Sequence, residues 1–347
     1  MYLGSDNTGP VHPQIMAAVA AANEGYATPY GNDTLMEEVR TQIRDIFEAP
    51  EAAVYLVATG TAANCLGLAC LTPPYATAFC SPDAHIQQDE CNAPEFFTSG
   101  AKLTLVGTED KMTPASLRAT IAGEEVRFPH GPLRGPVSIT QVTERGRVYS
   151  LSELAELTAV ARDYDLPVHM DGARFANALA ATNATPAEMT WRLGVDVLSF
   201  GGTKNGCMGV EAVILFDPAR AREFELRRKR GAHLFSKHRY LSAQMAAYLQ
   251  DNLWRDLAAK ANANMRRLAD GLAGVPDMSF QHDPQANMAF VELSRATADR
   301  LRAAGAVFSS WTDPGTNAPE DRLVVRFVAD WALPGEAIDQ FVTLAKG

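Results

Sequence analysis

Seven short apolar runs punctuate the first two thirds of this chain: AVYLVATG (53–60), ATAFCS (76–81), KLTLVG (102–107), GPVSITQ (135–141), LPVHMD (166–171), VDVLSFG (195–201) and EAVILFD (211–217). Each is brief, rich in β-branched or aromatic residues, and mostly free of polar alternation. That is the pattern of strands covered on both faces. Longer stretches with helical spacing lie between them. Three open with the spacing of a capping box, at Thr34 and Glu37, Ser150 and Glu153, and Thr185 and Glu188. The last also has proline at the first helical position. Strand followed by helix, repeated, predicts a mainly parallel α/β sheet.

From about Tyr240 the texture changes. The stretch SAQMAAYLQDNLWRDLAAKANANMRRLADGLAGV predicts one long helix, followed by ANMAFVEL (286–293), a helix near 295–304 and RLVVRFV (322–328). A chain of 347 residues suits one large domain and a smaller one. The expected division is 1–245 for the large domain, with its N-terminal segment, and 246–347 for a small α+β domain.

Composition removes several function classes. With 31 Lys and Arg against 41 Asp and Glu the net charge is -10, and the densest basic run, RRKRGAHLFSKHR, is local. Nucleic acid is therefore not an expected partner. No apolar run reaches the ~18 residues a membrane span needs, and the polar MYLGSDNTGPVHP at the start does not read as a secretory signal. Five cysteines with no C-x-x-C pair fit a reducing cytoplasm and weigh against structural zinc.

In parallel sheets ligands bind where strands hand over to loops at their carboxyl ends, and reactive residues cluster there in this chain. After the first run, VATGTAAN places Gly60 and Thr61 where a helix begins, and free N–H groups at a helix start can seat a phosphate. After the second, SPDAHIQQDE brings His85 with Asp89 and Glu90; a helical turn would set His85 beside Asp89. LPVHMDGARF ends a strand at Asp171, a carboxylate that needs a positive partner if buried. Arg174 is one candidate; a protonated ring nitrogen on a ligand is the other. Finally, SFGGTKNG sets Lys204 between glycines, where desolvation would free its amine to attack an aldehyde. A phosphate seat, a flat side chain, an acid for a ring N–H and an amine for an aldehyde together describe a pyridoxal 5'-phosphate site.

The chain resembles the low-specificity L-threonine aldolases, within the fold-type I, aspartate aminotransferase-like, group of pyridoxal-phosphate enzymes, and in particular the bacterial branch that includes L-phenylserine aldolases. The resemblance runs through SDNTGPVHP, YGND, TGTAAN, HMDGARFANA, SFGGTKNG and RLVVRF. HMDGAR joined to GGTKNG about thirty residues later is its most specific part.

The resemblance implies that Lys204 carries the cofactor as a Schiff base, that Asp171 keeps the pyridine nitrogen protonated, and that His85 stacks on the ring. It implies that Gly60 and Thr61 hold the phosphate. Ser5, Arg174 and Arg326 would bind the substrate carboxylate, with Arg174 also within reach of the cofactor. Arg326 shares a strand face with Val324 and Val328, which suits a cation that meets an anion. His130 would be a second active-site histidine. Lys237 would supply a phosphate-binding cation, and Tyr30 would reach the site, both from a neighbouring subunit of a homodimer or homotetramer. The implied reaction is cleavage of L-threonine, L-allo-threonine or L-phenylserine to glycine and an aldehyde. His85, His130 or a water they hold would take the β-hydroxyl proton. A β-eliminating lyase or an aminotransferase would use the same Lys–Asp pair.

Overall fold

The structure, a computed structural model, describes residues 1–311 and 322–347. All seven apolar runs form strands of one sheet: β1 (Ala53–Val57), β2 (Ala76–Cys80), β3 (Lys102–Leu105), β4 (Leu133–Thr140), β5 (Val168–Gly172), β6 (Val197–Gly201) and β7 (Glu211–Leu215). Their spatial order is β1-β7-β6-β5-β4-β2-β3. Every pairing is parallel except those of β7, which runs antiparallel to both β1 and β6. Every residue of β1, β2, β5, β6 and β7 is buried. Helices cover both faces of those strands, which is why their sequences do not alternate. Only β3, at the edge, is largely open to solvent, and it begins on a lysine.

A second sheet contains β8 (Ser279–Phe280), β9 (Met288–Ser294), β10 (Ser309–Ser310) and β11 (Arg322–Val328), in the order β10-β11-β9-β8 and antiparallel throughout. Its own apolar core includes Leu268, Val291, Leu293, Phe327 and Phe341. Phe327 and Phe341 meet edge to face at 5.2 Å, both fully buried. Truncating either ring to alanine would cost about 3–5 kcal/mol. The start of the chain joins this sheet: Leu3 donates its N–H to the carbonyl of Val307, and Val328 donates to the carbonyl of Leu3. Buried Leu3 anchors the segment in the core, and residues 5–7 then run towards the large sheet.

Two local expectations change. The stretch expected as one helix after Tyr240 is two, Arg239–Leu249 and Leu253–Leu272, because Asp251 and Asn252 take left-handed conformations at φ 51° and 60°. Asp and Asn adopt that conformation at little cost. Thr34 does not cap its helix; Asp33 does, accepting the Met36 N–H at 3.0 Å, and a carboxylate is a strong cap beside a helix dipole. The capping boxes at Ser150 and Thr185 form as expected.

No helix among the described residues is long and apolar enough to cross a membrane.

Candidate active site

The carboxyl ends of β5 and β6 lie side by side, with Asp171 opposite Ser199 and Gly172 opposite Phe200. Beyond β6 the turn Thr203–Asn205 carries Lys204. The glycines before it are required by packing. A Cβ on Gly201 would sit 2.3 Å from the Ala173 carbonyl oxygen, and one on Gly202 would sit 2.7 Å from that of Val210. Side chains there would push the lysine turn away from the end of β5.

Lys204 is half-buried on a cavity of about 220 Å³ whose lining includes Gly60, Thr61, His85, Asp171 and Glu211. Among the described residues its amine takes no hydrogen bond or ion pair. Asp171 is 2% exposed, yet among the described residues it pairs with no arginine. One oxygen accepts the Ala173 N–H at 3.0 Å and the other accepts from Asn64 Nδ2 at 2.9 Å. Of the two partners open to Asp171 at the outset, Arg174 is excluded because it is engaged elsewhere. The carboxylate is left facing the cavity.

The helix Gly60–Ala69 starts at the cavity, capped by Thr59, which accepts the Ala62 N–H through its side chain and the Ala63 N–H through its carbonyl. A Cβ on Gly60 would meet nothing within 4 Å, so open space lies over this helix start. Its first N–H groups and the positive end of the helix dipole suit a phosphate.

His85 pairs with Glu90, not with Asp89. The helix His85–Gln88 is one turn long and ends at Asp89, whose φ of -124° turns the chain back and brings Glu90 under the imidazole. His85 Nδ1 lies 2.8 Å from Glu90 Oε1, and Glu90 also accepts from Asn64 Nδ2 at 3.0 Å. A chain of contacts therefore links His85, Glu90, Asn64 and Asp171. Burial by itself would depress the His85 pKa, but the Glu90 carboxylate, with Asp171 and Glu144, outweighs it and raises the pKa above the usual value.

A second cluster adjoins the first. Arg174, 5% exposed, makes a two-pronged pair with Asp6, Nε to Oδ2 at 2.7 Å and Nη2 to Oδ1 at 3.1 Å. Its Nη1 lies 4.0 Å from buried Glu144. Burial works against the charge of Asp6, and Arg174 overrides it, holding the carboxyl below its ordinary range. Arg326 comes from β11, which is paired on both sides and so is not an edge strand. Its Nη2 donates to the Gly4 carbonyl at 3.4 Å, its buried Nε has no partner among the described residues, and its guanidinium stacks on Trp311. Burial first, then the nearby Arg174, lower its pKa. Two neighbouring guanidiniums, one with a buried donor unused among the described residues, suit a carboxylate. Ser5 borders this cluster, its hydroxyl accepting the Asn7 N–H at 3.1 Å.

The structure does not bring every expected residue to the cavity. His130 is exposed in a turn before β4, whose other end, Thr140, pairs with Asp171. At ~3.3 Å per residue an eight-residue strand separates the two ends by roughly 25 Å. Tyr30 and Lys237 are exposed, and neither lines the cavity. They are near each other, with the Tyr30 N–H bonded to the Ser236 carbonyl and Lys229 over the Tyr30 ring.

Sequence reasoning passed over Asp6, Asn64, Glu144 and Glu211. Glu211 alone left a signal, as the one charge opening the apolar run EAVIL. The others became visible only through their partners.

The residues present fit pyridoxal phosphate. An unpaired amine, a buried carboxylate aimed into the cavity and an open helix start supply its three anchoring points. Fold and site together define a fold-type I pyridoxal-phosphate-dependent lyase. The chain matches the family model described as "Beta-eliminating lyase" over residues 3–295, and it belongs to that family. It is 40% identical to a low specificity L-threonine aldolase of Pseudomonas aeruginosa and 38% identical to one of a Pseudomonas species. Each match covers 94% of this chain and 92% of the relative. Among solved structures, a Leishmania major threonine aldolase superposes with a TM-score of 0.93 at 24% identity, covering 99% of this chain and 98% of that one. A Sphingomonas wittichii serine palmitoyltransferase gives 0.73 at 16% identity, covering 100% and 86%. These two show the shared fold.

Proposed function

We propose that this chain cleaves L-threonine, L-allo-threonine and related L-β-hydroxy-α-amino acids, L-phenylserine among them, to glycine and an aldehyde. The observation that carries this reading is the placement of Lys204 and Asp171 on one cavity at adjacent strand ends, in a chain 40% identical to a low specificity L-threonine aldolase.

Pyridoxal phosphate, when bound, supplies an electron sink for the pair released as the Cα–Cβ bond breaks. Lys204 would hold the cofactor's aldehyde carbon through its amine. Asp171 holds a proton at the ring nitrogen. Gly60 and Thr61 seat the phosphate with their N–H groups. Arg326, Arg174 and Ser5 fix the substrate carboxylate, which orients the Cα–Cβ bond for cleavage. His85 takes the β-hydroxyl proton. Its Nδ1 faces a carboxylate oxygen of Glu90, which can only accept from it, so in the neutral ring Nε2 is the basic nitrogen. His130 has no role in this reading, because it lies at the opposite end of β4.

Tyr30 and Lys237 act across an interface between copies of the chain, in a homodimer or homotetramer. Their shared surface position supports that arrangement. The protein works in the cytoplasm, a location supported by five free cysteines, four of them buried.

Purified protein given L-threonine and pyridoxal phosphate is expected to form acetaldehyde and glycine in equal amounts. The description of the matched family favours a second reading, β-elimination. Ammonia and a keto acid in place of glycine would establish it.

A further inference from the structure

Glu211 opens the antiparallel strand β7, opposite Gly201 on one side and Val57 on the other. The rest of that strand is apolar, and Glu211 is 6% exposed. A carboxylate in such a place costs stability unless it is satisfied. Its Oε2 accepts the Gly202 N–H at 2.8 Å, and the Thr203 hydroxyl donates to it. Gly202 caps the turn Thr203–Asn205 and Thr203 opens it, so Glu211 grips the lysine turn from beneath.

Glu211 also lines the cavity with Lys204. The titratable groups that face it are Lys204 and Cys207 from the loop after β6, Asp171 from β5 and Tyr248 from the helix Arg239–Leu249. Burial first raises Cys207 and Tyr248 well above their ordinary pKa values, so both are neutral. That leaves Lys204 and Asp171 as the charges with which Glu211 interacts. Burial chiefly, helped by Asp171, pushes the Glu211 pKa up to about 7 against the opposing effect of Thr203, Gly202 and Lys204. Its charge therefore changes across the neutral range.

We propose that Glu211 is a positioning residue for Lys204, anchoring the Gly202–Thr203 backbone and setting how readily the nitrogen that Lys204 presents to the cofactor holds its proton. This rests on the reading that Lys204 carries pyridoxal phosphate. A negative charge close to that nitrogen favours its protonated form, and loss of the charge disfavours it.

The test is a pH titration of the visible absorbance band of the holoenzyme, which reports that protonation without turnover. Glu211→Gln keeps the shape and an oxygen for Gly202 but removes the charge. It is expected to move the titration midpoint to lower pH by at least about half a unit, roughly threefold in proton affinity. Thr203→Val, which takes a donor from the carboxylate and keeps it neutral to higher pH, is expected to shift the midpoint in the same direction by less. It serves as the measurement if Glu211→Gln is insoluble. Midpoints equal to the parent's, with only thermal stability changed, would reduce Glu211 to a structural strut and overturn the proposal. A parent protein that never shows a visible band with added cofactor would overturn the Lys204 reading itself, a different and earlier failure.

Discussion

Arg174 and Asp6 meet through two hydrogen bonds of 2.7 and 3.1 Å although 168 residues separate them in the chain. Asp6 reaches this point because Leu3, just before it, is locked into the core of the smaller sheet. The pair thus ties the chain start, the smaller sheet and the loop after β5 into one site. With Arg326 from β11 nearby, the cationic cluster draws on both sheets.

Breaking this pair has a stated cost. Asp6→Ala leaves a buried guanidinium without its main partner, and removal of one member of a buried pair costs about 3–5 kcal/mol. Urea denaturation followed by circular dichroism is expected to show a loss of that size. The Michaelis constant for L-threonine should rise with it, because Arg174 is then free to take other orientations.

Arg326 is expected to behave in the opposite way. Its buried Nε has no partner among the described residues and burial works against its charge, so the native protein gains little from that charge. Arg326→Gln is expected to leave the melting temperature unchanged or raised. The same change should weaken amino-acid binding by roughly 10- to 100-fold, since a hydrogen bond to a charged group contributes about 1.5–3 kcal/mol. A fall in stability with unaltered binding would remove Arg326 from carboxylate binding.

Lys204→Ala is expected to lower turnover by at least about 10³-fold and to abolish the visible band seen when the parent is given pyridoxal phosphate. Borohydride treatment of the parent, followed by peptide mapping, should place the cofactor on the peptide that contains Lys204.

His85 gives a signed pH dependence. Its folded pKa is raised, so the stabilisation from its pairing is complete below the unfolded value near 6.5 and fades as pH rises through the folded value. Activity should run the other way, because Nε2 must be free to take a proton, and kcat/KM is expected to rise with pH through the same range. Glu90→Gln removes the carboxylate that raises the pKa, so the rising limb should move to lower pH. Unmoved pH profiles would exclude His85 as the base.

Mixing experiments separate a cis from a trans role for Lys237. Lys237→Ala and Lys204→Ala proteins are each expected to be impaired alone. If Lys237 serves a neighbour's site, subunit exchange between the two variants should restore activity by forming sites with both lysines intact. No recovery after exchange would place Lys237 outside the neighbour's site.

Much of the candidate site was legible because Asp171 and Lys204 sit at strand ends. Asp171 and Lys204 follow apolar runs that can only be buried strands, and parallel strands bring their carboxyl ends to one edge of a sheet. The same logic could not place His130, since a histidine before a strand and one after it look alike in sequence until the strand's direction is known. Nor could it choose between Asp89 and Glu90 as the partner of His85. Helical spacing favours Asp89, but the helix stops after one turn. The break at Asp251 and Asn252 escaped notice for a similar reason, because helical periodicity persists on both sides of it.

The order of polar and apolar residues determined the parallel α/β sheet, its strands and the turns that carry the lysine and aspartate, because burial on both faces admits few other patterns. Tertiary structure alone decided the partners: Asp6 with Arg174, Glu90 with His85, Asn64 with Asp171, and Glu211 beneath the Lys204 turn. Those contacts span 5 to 168 residues. A charge buried by folding must find its counterpart among whatever side chains packing has brought within reach, and local sequence carries no record of that choice.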